Sequence, residues 1–174
     1  ETMVAPLIAL SLLAAPSFKP SVQAWTFNRF TATKAIELTA QAGGQYIELF
    51  PGQAIGFQAD GKEVTVGPHL TADQNARLKE ILQKNGVQVA AYGVTGISKD
   101  PAEARYLFKW AKSMGIEIIN TESAEAMDTI EMMVKEFDMK VGFHNHPRQM
   151  NNPNYKMWDP NYVASILKNR DKRI

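Results

Sequence analysis

Asn85-Gly86-Val87-Gln88-Val89-Ala90-Ala91-Tyr92-Gly93-Val94 decides the fold. Asn85-Gly86 is a helix stop, because glycine takes the left-handed conformation that closes a helix at little cost. The run after it is apolar on both faces rather than alternating, which is the pattern of a strand covered on both sides. Asp100-Pro101 then supplies a cap and a first helical position. Helix, buried strand and helix in immediate succession predict a parallel sheet with helical crossovers.

The same unit recurs in both directions. Upstream, Val22–Phe27 reads as a first strand, followed by a helix from Thr33 to Ala42 that stops at Gly43-Gly44. Tyr46–Phe50 is the second strand, and a long polar stretch leads to Thr71, the N-cap of a helix with Leu78, Ile81 and Leu82 on its apolar face. Downstream, Ala104, Leu107, Phe108 and Ala111 line one side of the helix that opens at Asp100 and stops at Gly115. Ile116–Asn120 is the fourth strand, Ala124–Phe137 a helix with Ile130, Met133, Val134 and Phe137 inward, and Lys140–His144 the fifth strand. A last helix runs from Asp159-Pro160 to about Arg170, and the basic tail Lys168–Arg173 reads as its solvated end. Five units at roughly 30 residues each fit the βαβ repeat. Right-handed crossovers leave two architectures, a closed (β/α)₈ barrel or an open doubly wound sheet. A full barrel takes about 250 residues, so a chain of 174 is expected to hold either part of one or a complete five-stranded flavodoxin-like domain.

The N-terminus reads differently. Met3–Ser17 is apolar, uncharged and ends in small residues. It is shorter than the roughly 20 residues that cross a bilayer, and has the length of a signal-peptide core. Residues 1–20 are therefore expected to be a leader remnant and 21–174 the domain, which predicts export, to the periplasm; the other reading is a buried N-terminal helix in a cytoplasmic protein. A net charge of +1 gives no pointer to nucleic acid or a membrane surface, and the absence of cysteine excludes disulfides, thiolate metal sites and cysteine nucleophiles. No phosphate-binding glycine motif is present.

In either architecture ligands bind at the carboxyl ends of the strands. Those ends carry Trp25, Glu48, Tyr92, Asn120 with Glu122, and His144 with His146, a cup suited to a polyhydroxylated ligand. His144 and His146 stand at i and i+2, so an extended backbone turns both imidazoles to one side; they suit metal ligation or proton transfer, or else hydrogen-bond loop backbone. Glu48 interrupts an apolar strand, a costly place for a carboxylate unless it is functional or paired. Glu122 is either a ligand or the acid of a helix first turn. Trp25, Tyr92 and Asn120 are the candidate ligand-binding groups, with Trp25 stacking on a sugar face or packing the barrel. His69 reads as a loop histidine.

At five stretches the chain resembles the xylose isomerase-like TIM barrels, the sugar phosphate isomerase/epimerase family that also includes the endonuclease IV-like fold. They are Ala42–Leu49 with Phe50-Pro51-Gly52-Gln53, Asn85–Gly93, Ala111–Ile116, Val141–Pro147 and Leu167–Ile174. The resemblance implies a partial (β/α)₈ barrel that stops before its sixth strand, and metal-assisted proton transfer next to the carbonyl of a sugar. It implies a divalent metal, Mn, Mg, Zn or Co, held mostly by residues of later strands. His144 stands where many relatives place a glutamate ligand, so His144, with Glu122, is the metal candidate, while Glu48 and His146 are the catalytic candidates. Exposed first and fifth strands would predict self-association. Two readings compete: a non-catalytic flavodoxin-like sugar-binding module, and a nuclease, against which the lack of a basic excess argues.

Overall fold

The structure, a computed structural model, describes residues 18–174. Most of the expected leader, residues 1–17, lies outside the described residues.

β1 (Ser21–Gln23) opens the fold and passes into a 3-10 turn at Ala24–Phe27. The first strand is thus shorter than expected, because the Gln23 side chain accepts from the Trp25 backbone N–H and turns the chain. There follow α1 (Ala32–Gln41), β2 (Tyr46–Leu49), β3 (Ala54–Ala59), β4 (Lys62–Thr65) and α2 (Ala72–Lys84). The second half holds β5 (Gln88–Tyr92), α3 (Pro101–Ser113), β6 (Ile118–Thr121), α4 (Met127–Phe137), β7 (Lys140–Phe143) and α5 (Pro160–Leu167).

The parallel sheet has the order β1-β2-β5-β6-β7, so each of its strands lies beside the previous one in sequence. A flavodoxin-like sheet reverses its strand order at a switch point. This one does not, and the five strands form an arc of a (β/α)₈ barrel. The flavodoxin-like alternative fails on that order.

The helix signals act as read. Thr71 and Gln74 form a reciprocal capping box at α2, which satisfies two otherwise orphaned backbone N–H groups. Asp100 caps α3 with Pro101 in its first turn. Leu78, Phe108, Ile119, Ile130 and Met133 are fully buried between helices and sheet. The stretch after β2, taken as polar loop, instead forms the β3–β4 hairpin. Its turn is Asp60-Gly61, both at positive φ (51° and 71°), the geometry of a tight hairpin turn.

The basic tail is also corrected. α5 ends at Leu167, and Arg170 pairs with Asp128 and Glu131 of α4 at 2.7 and 3.0 Å, while Arg173 pairs with Asp171 and Asp138. The acids exposed on and after α4 draw these arginines in. The Arg173 carbonyl accepts from Val141 N–H of β7, placing the chain beside the sheet again.

Candidate functional site at the strand ends

The carboxyl ends of the five parallel strands surround a cavity of about 530 Å³. β1 delivers Gln23 and, through its 3-10 turn, Trp25; β2 delivers Glu48 and Phe50; β5 delivers Gly93; β6 delivers Asn120; β7 delivers His144 and His146. The second-strand acid and the paired imidazoles therefore face one space.

Glu48 sits at the half-buried side of this cup, and its carboxylate accepts a 2.8 Å hydrogen bond from Asn120 Nδ2. Burial raises its pKa above the ordinary carboxylate value; the Asn120 hydrogen bond and the charge of His144 partly offset this. A carboxylate made more basic by desolvation, yet reachable from a cavity, is suited to accept a proton.

Just past the carboxyl end of β6, Glu122 lies with Oε1 2.9 Å from His146 Nε2. Among the described residues no hydrogen bond reaches the buried Glu122 Oε1 or the buried Tyr155 hydroxyl. The His144 and His146 rings meet edge to face at 4.8 Å. The backbone beneath is fixed: His144 N–H donates to the Thr121 carbonyl, and Ser123 N–H to Thr121 Oγ1. β7 itself ends at Phe143, one residue short of the expected strand, so His144 and His146 are carried by the loop that leaves it.

Donor atoms of Glu122, His144 and His146 all lie within 4.8 Å of one another. Ligands sharing one ion at bonds near 2.1 Å are separated by about 3.5 Å, so these three groups would have to draw closer to share one. Two imidazole nitrogens and one carboxylate oxygen fit a divalent transition metal. The orphaned Glu122 oxygen fits the same use.

Tyr92 is a correction. It is 1% exposed and packs its ring edge-on against Trp110 of α3 at 4.8 Å, so it belongs to the core and not to the cavity. Successive strand residues face opposite sides, and the same alternation that turns Tyr92 outward turns Gly93 inward. Trp25 is 60% exposed at the rim, braced edge-on by Phe50 at 5.1 Å. His69 lies near the β3–β4 hairpin, 3.2 Å from Thr65 Oγ1 and outside the cavity lining. Sequence reading missed Gln23 and Phe50. The position of Phe50 beyond a buried strand was a usable signal; nothing local marks Gln23.

No protein-family model matches the chain, and neither does any curated protein. Among solved structures it is similar to an uncharacterised protein from Parabacteroides distasonis, 27% identical at a TM-score of 0.72, with 88% of this chain and 60% of that one covered. A sugar phosphate isomerase/epimerase from the same organism is 16% identical at 0.53, with 91% and 66% covered. A xylose isomerase-like TIM barrel protein from Mycobacterium smegmatis in complex with magnesium is 12% identical at 0.60, with 85% and 60% covered. The chain thus spans 60% to 66% of the length of these proteins.

Proposed function

We propose, from a chain that has the fold of the xylose isomerase-like TIM barrels, that the protein works as a sugar isomerase or epimerase, moving a proton on a carbon next to a carbonyl. One observation carries the reading: a desolvated carboxylate, Glu48, shares a cavity with two imidazoles and an exposed tryptophan. Exposed Trp25 offers a flat apolar face to a sugar ring, and Gln23 offers polar groups for its hydroxyls. Glu48 takes the proton from the carbon beside the carbonyl, the electron pair moves toward the carbonyl oxygen, and the protonated Glu48 gives the proton back. Return to the former carbonyl carbon, with the proton of the neighbouring hydroxyl passing to the former carbonyl oxygen, exchanges aldose and ketose; return to the opposite face of the same carbon inverts it and needs a second group, a role open to His146 only while it is not holding a metal.

Glu122, His144 and His146 would hold a divalent metal, with His146 joining a set that the sequence assigned to the other two. Such an ion polarises the carbonyl and so acidifies the neighbouring C–H. Of Mn, Mg, Zn and Co, magnesium suits this nitrogen-rich set least, since it prefers oxygen ligands. The apolar run Met3–Ser17 supports export of the protein, to the periplasm.

The test is solvent exchange. Free aldoses and ketoses are incubated with the protein and Zn²⁺, Mn²⁺ or Co²⁺ in D₂O, and proton NMR follows loss of the signal beside the carbonyl. Protein-dependent exchange is the expected result; none across the panel, with the whole gene product, would sink the proposal. The metal is checked separately by calorimetry. His146→Ala is expected to weaken Co²⁺ binding by at least about tenfold, a loss that even outer-shell ligand partners produce; unchanged affinity would return Glu122 and His146 to a plain ion pair.

A further inference from the structure

Glu48 and Asn120 are not on neighbouring strands. β5 lies between β2 and β6, and at about 4.8 Å per strand spacing the two backbones stand nearly 10 Å apart. Their side chains meet only by passing over β5, where Ala91 is the register partner of Glu48 and Gly93, two residues on, lines the cavity. Tyr92, the bulky residue between them, points to α3. The saddle is therefore kept low at the place where the 2.8 Å hydrogen bond crosses it.

Asn120 is also enclosed sideways. A Cβ on Gly93 would lie 2.6 Å from the Asn120 carbonyl oxygen and 2.7 Å from its Cβ, and a Cβ on Gly142 would collide with Asn120 Oδ1. Gly142 is the register partner of Asn120 on β7. The Asn120 carbonyl accepts from Thr95 N–H at 3.0 Å, so its backbone is held as well. One amide, in a slot cut by glycines on both flanking strands, thus points its N–H₂ at one carboxylate oxygen.

We infer that Asn120 is a positioning residue, held between Gly93 and Gly142, that keeps the Glu48 carboxylate aimed into the cavity across the low saddle of β5. The inference rests on the reading of Glu48 as the proton acceptor. Glycine at 93 and 142 then serves the site rather than a turn, since neither has the positive φ of the chain's turn glycines. The amide's job is donation to Glu48: filling the slot alone needs only its shape, whereas aiming the carboxylate needs its N–H.

Asn120→Asp separates the two, because it keeps the shape, removes the donor and places a carboxylate against a carboxylate. In its crystal structure, with metal added, the Glu48 carboxylate is expected to rotate away from residue 120. In the deuterium-exchange assay turnover is expected to fall about a hundredfold, the cost of misplacing a reacting group by about 1 Å, with KM little changed. Asn120→Ala, which carries no added charge, should lose turnover similarly and covers the case in which the aspartate variant melts early. A Glu48 carboxylate that stays in place in both variants, or turnover retained in Asn120→Asp but lost in Asn120→Ala, would overturn the inference and leave Asn120 a filler. Full exchange by Glu48→Gln would instead overturn the proton-acceptor reading, and the crystallographic position of Glu48 in the Asn120 variants would then decide the positioning role on its own.

Discussion

Glu48→Gln is expected to reduce turnover by about 10²- to 10⁴-fold, the usual contribution of a positioned general base, with a small change in KM. Gln keeps the volume of the side chain and an oxygen to accept from Asn120 Nδ2, but cannot hold the abstracted proton. If Glu48 only bound sugar hydroxyls, KM would rise and turnover would survive. The same variant is expected to melt higher than the parent near neutral pH in metal-free buffer. The sign follows from the raised pKa: the fold favours the protonated carboxyl, so that stability is complete below the ordinary value of 4.5 and is lost as pH rises through the folded value. A neutral isostere removes that loss. Thermal melts of both proteins between pH 4 and 8 check it, with the two curves expected to diverge as pH climbs; a lower melting temperature for Glu48→Gln at neutral pH would make Glu48 a structural carboxylate.

Phe108→Ala carries the largest expected loss of stability, about 3–5 kcal/mol. Phe108 is fully buried on α3, its ring 5.9 Å from that of Phe137 on α4. Truncation forfeits the transfer free energy of the ring and leaves a cavity between the two helices that cover β5 and β6, where close-packed neighbours relax only in part. Against a total of about 5–15 kcal/mol for a folded domain, that loss leaves the variant marginal. Urea titration should show the midpoint fall with the slope unchanged; a loss below about 1 kcal/mol would mean that α3 and α4 close over the gap and that their packing is not what holds these strands. Because Gly93 and Asn120 ride on the covered strands, the variant is also expected to lose turnover at temperatures where the parent is unaffected.

Much of the barrel arc was legible because its signals are local. Asn85-Gly86, Asp100-Pro101 and Thr71 each satisfy or terminate a helix within four residues, and the structure uses them as read, with Gln74 completing the Thr71 cap. The β3–β4 hairpin was missed although Asp60-Gly61 is a local signal too: its strands are short and half exposed, and pattern alone reads them as loop.

The candidate site divides along the same line. Trp25, Glu48, Asn120, His144 and His146 could be named from sequence because a parallel βα repeat sends every strand end to one rim, whatever the tertiary detail. Tyr92 could not be placed, because its orientation turns on a single step of strand alternation that only packing against Trp110 fixes. Pairs between distant strands were equally hidden. Glu48 and Asn120 are 72 residues apart and meet across β5, and His146 meets Glu122 where the ends of the adjacent strands β7 and β6 lie side by side. Sequence by itself determined which groups reach the rim; the sideways distances between strands, and the small residues that open or close them, decided which of those groups touch.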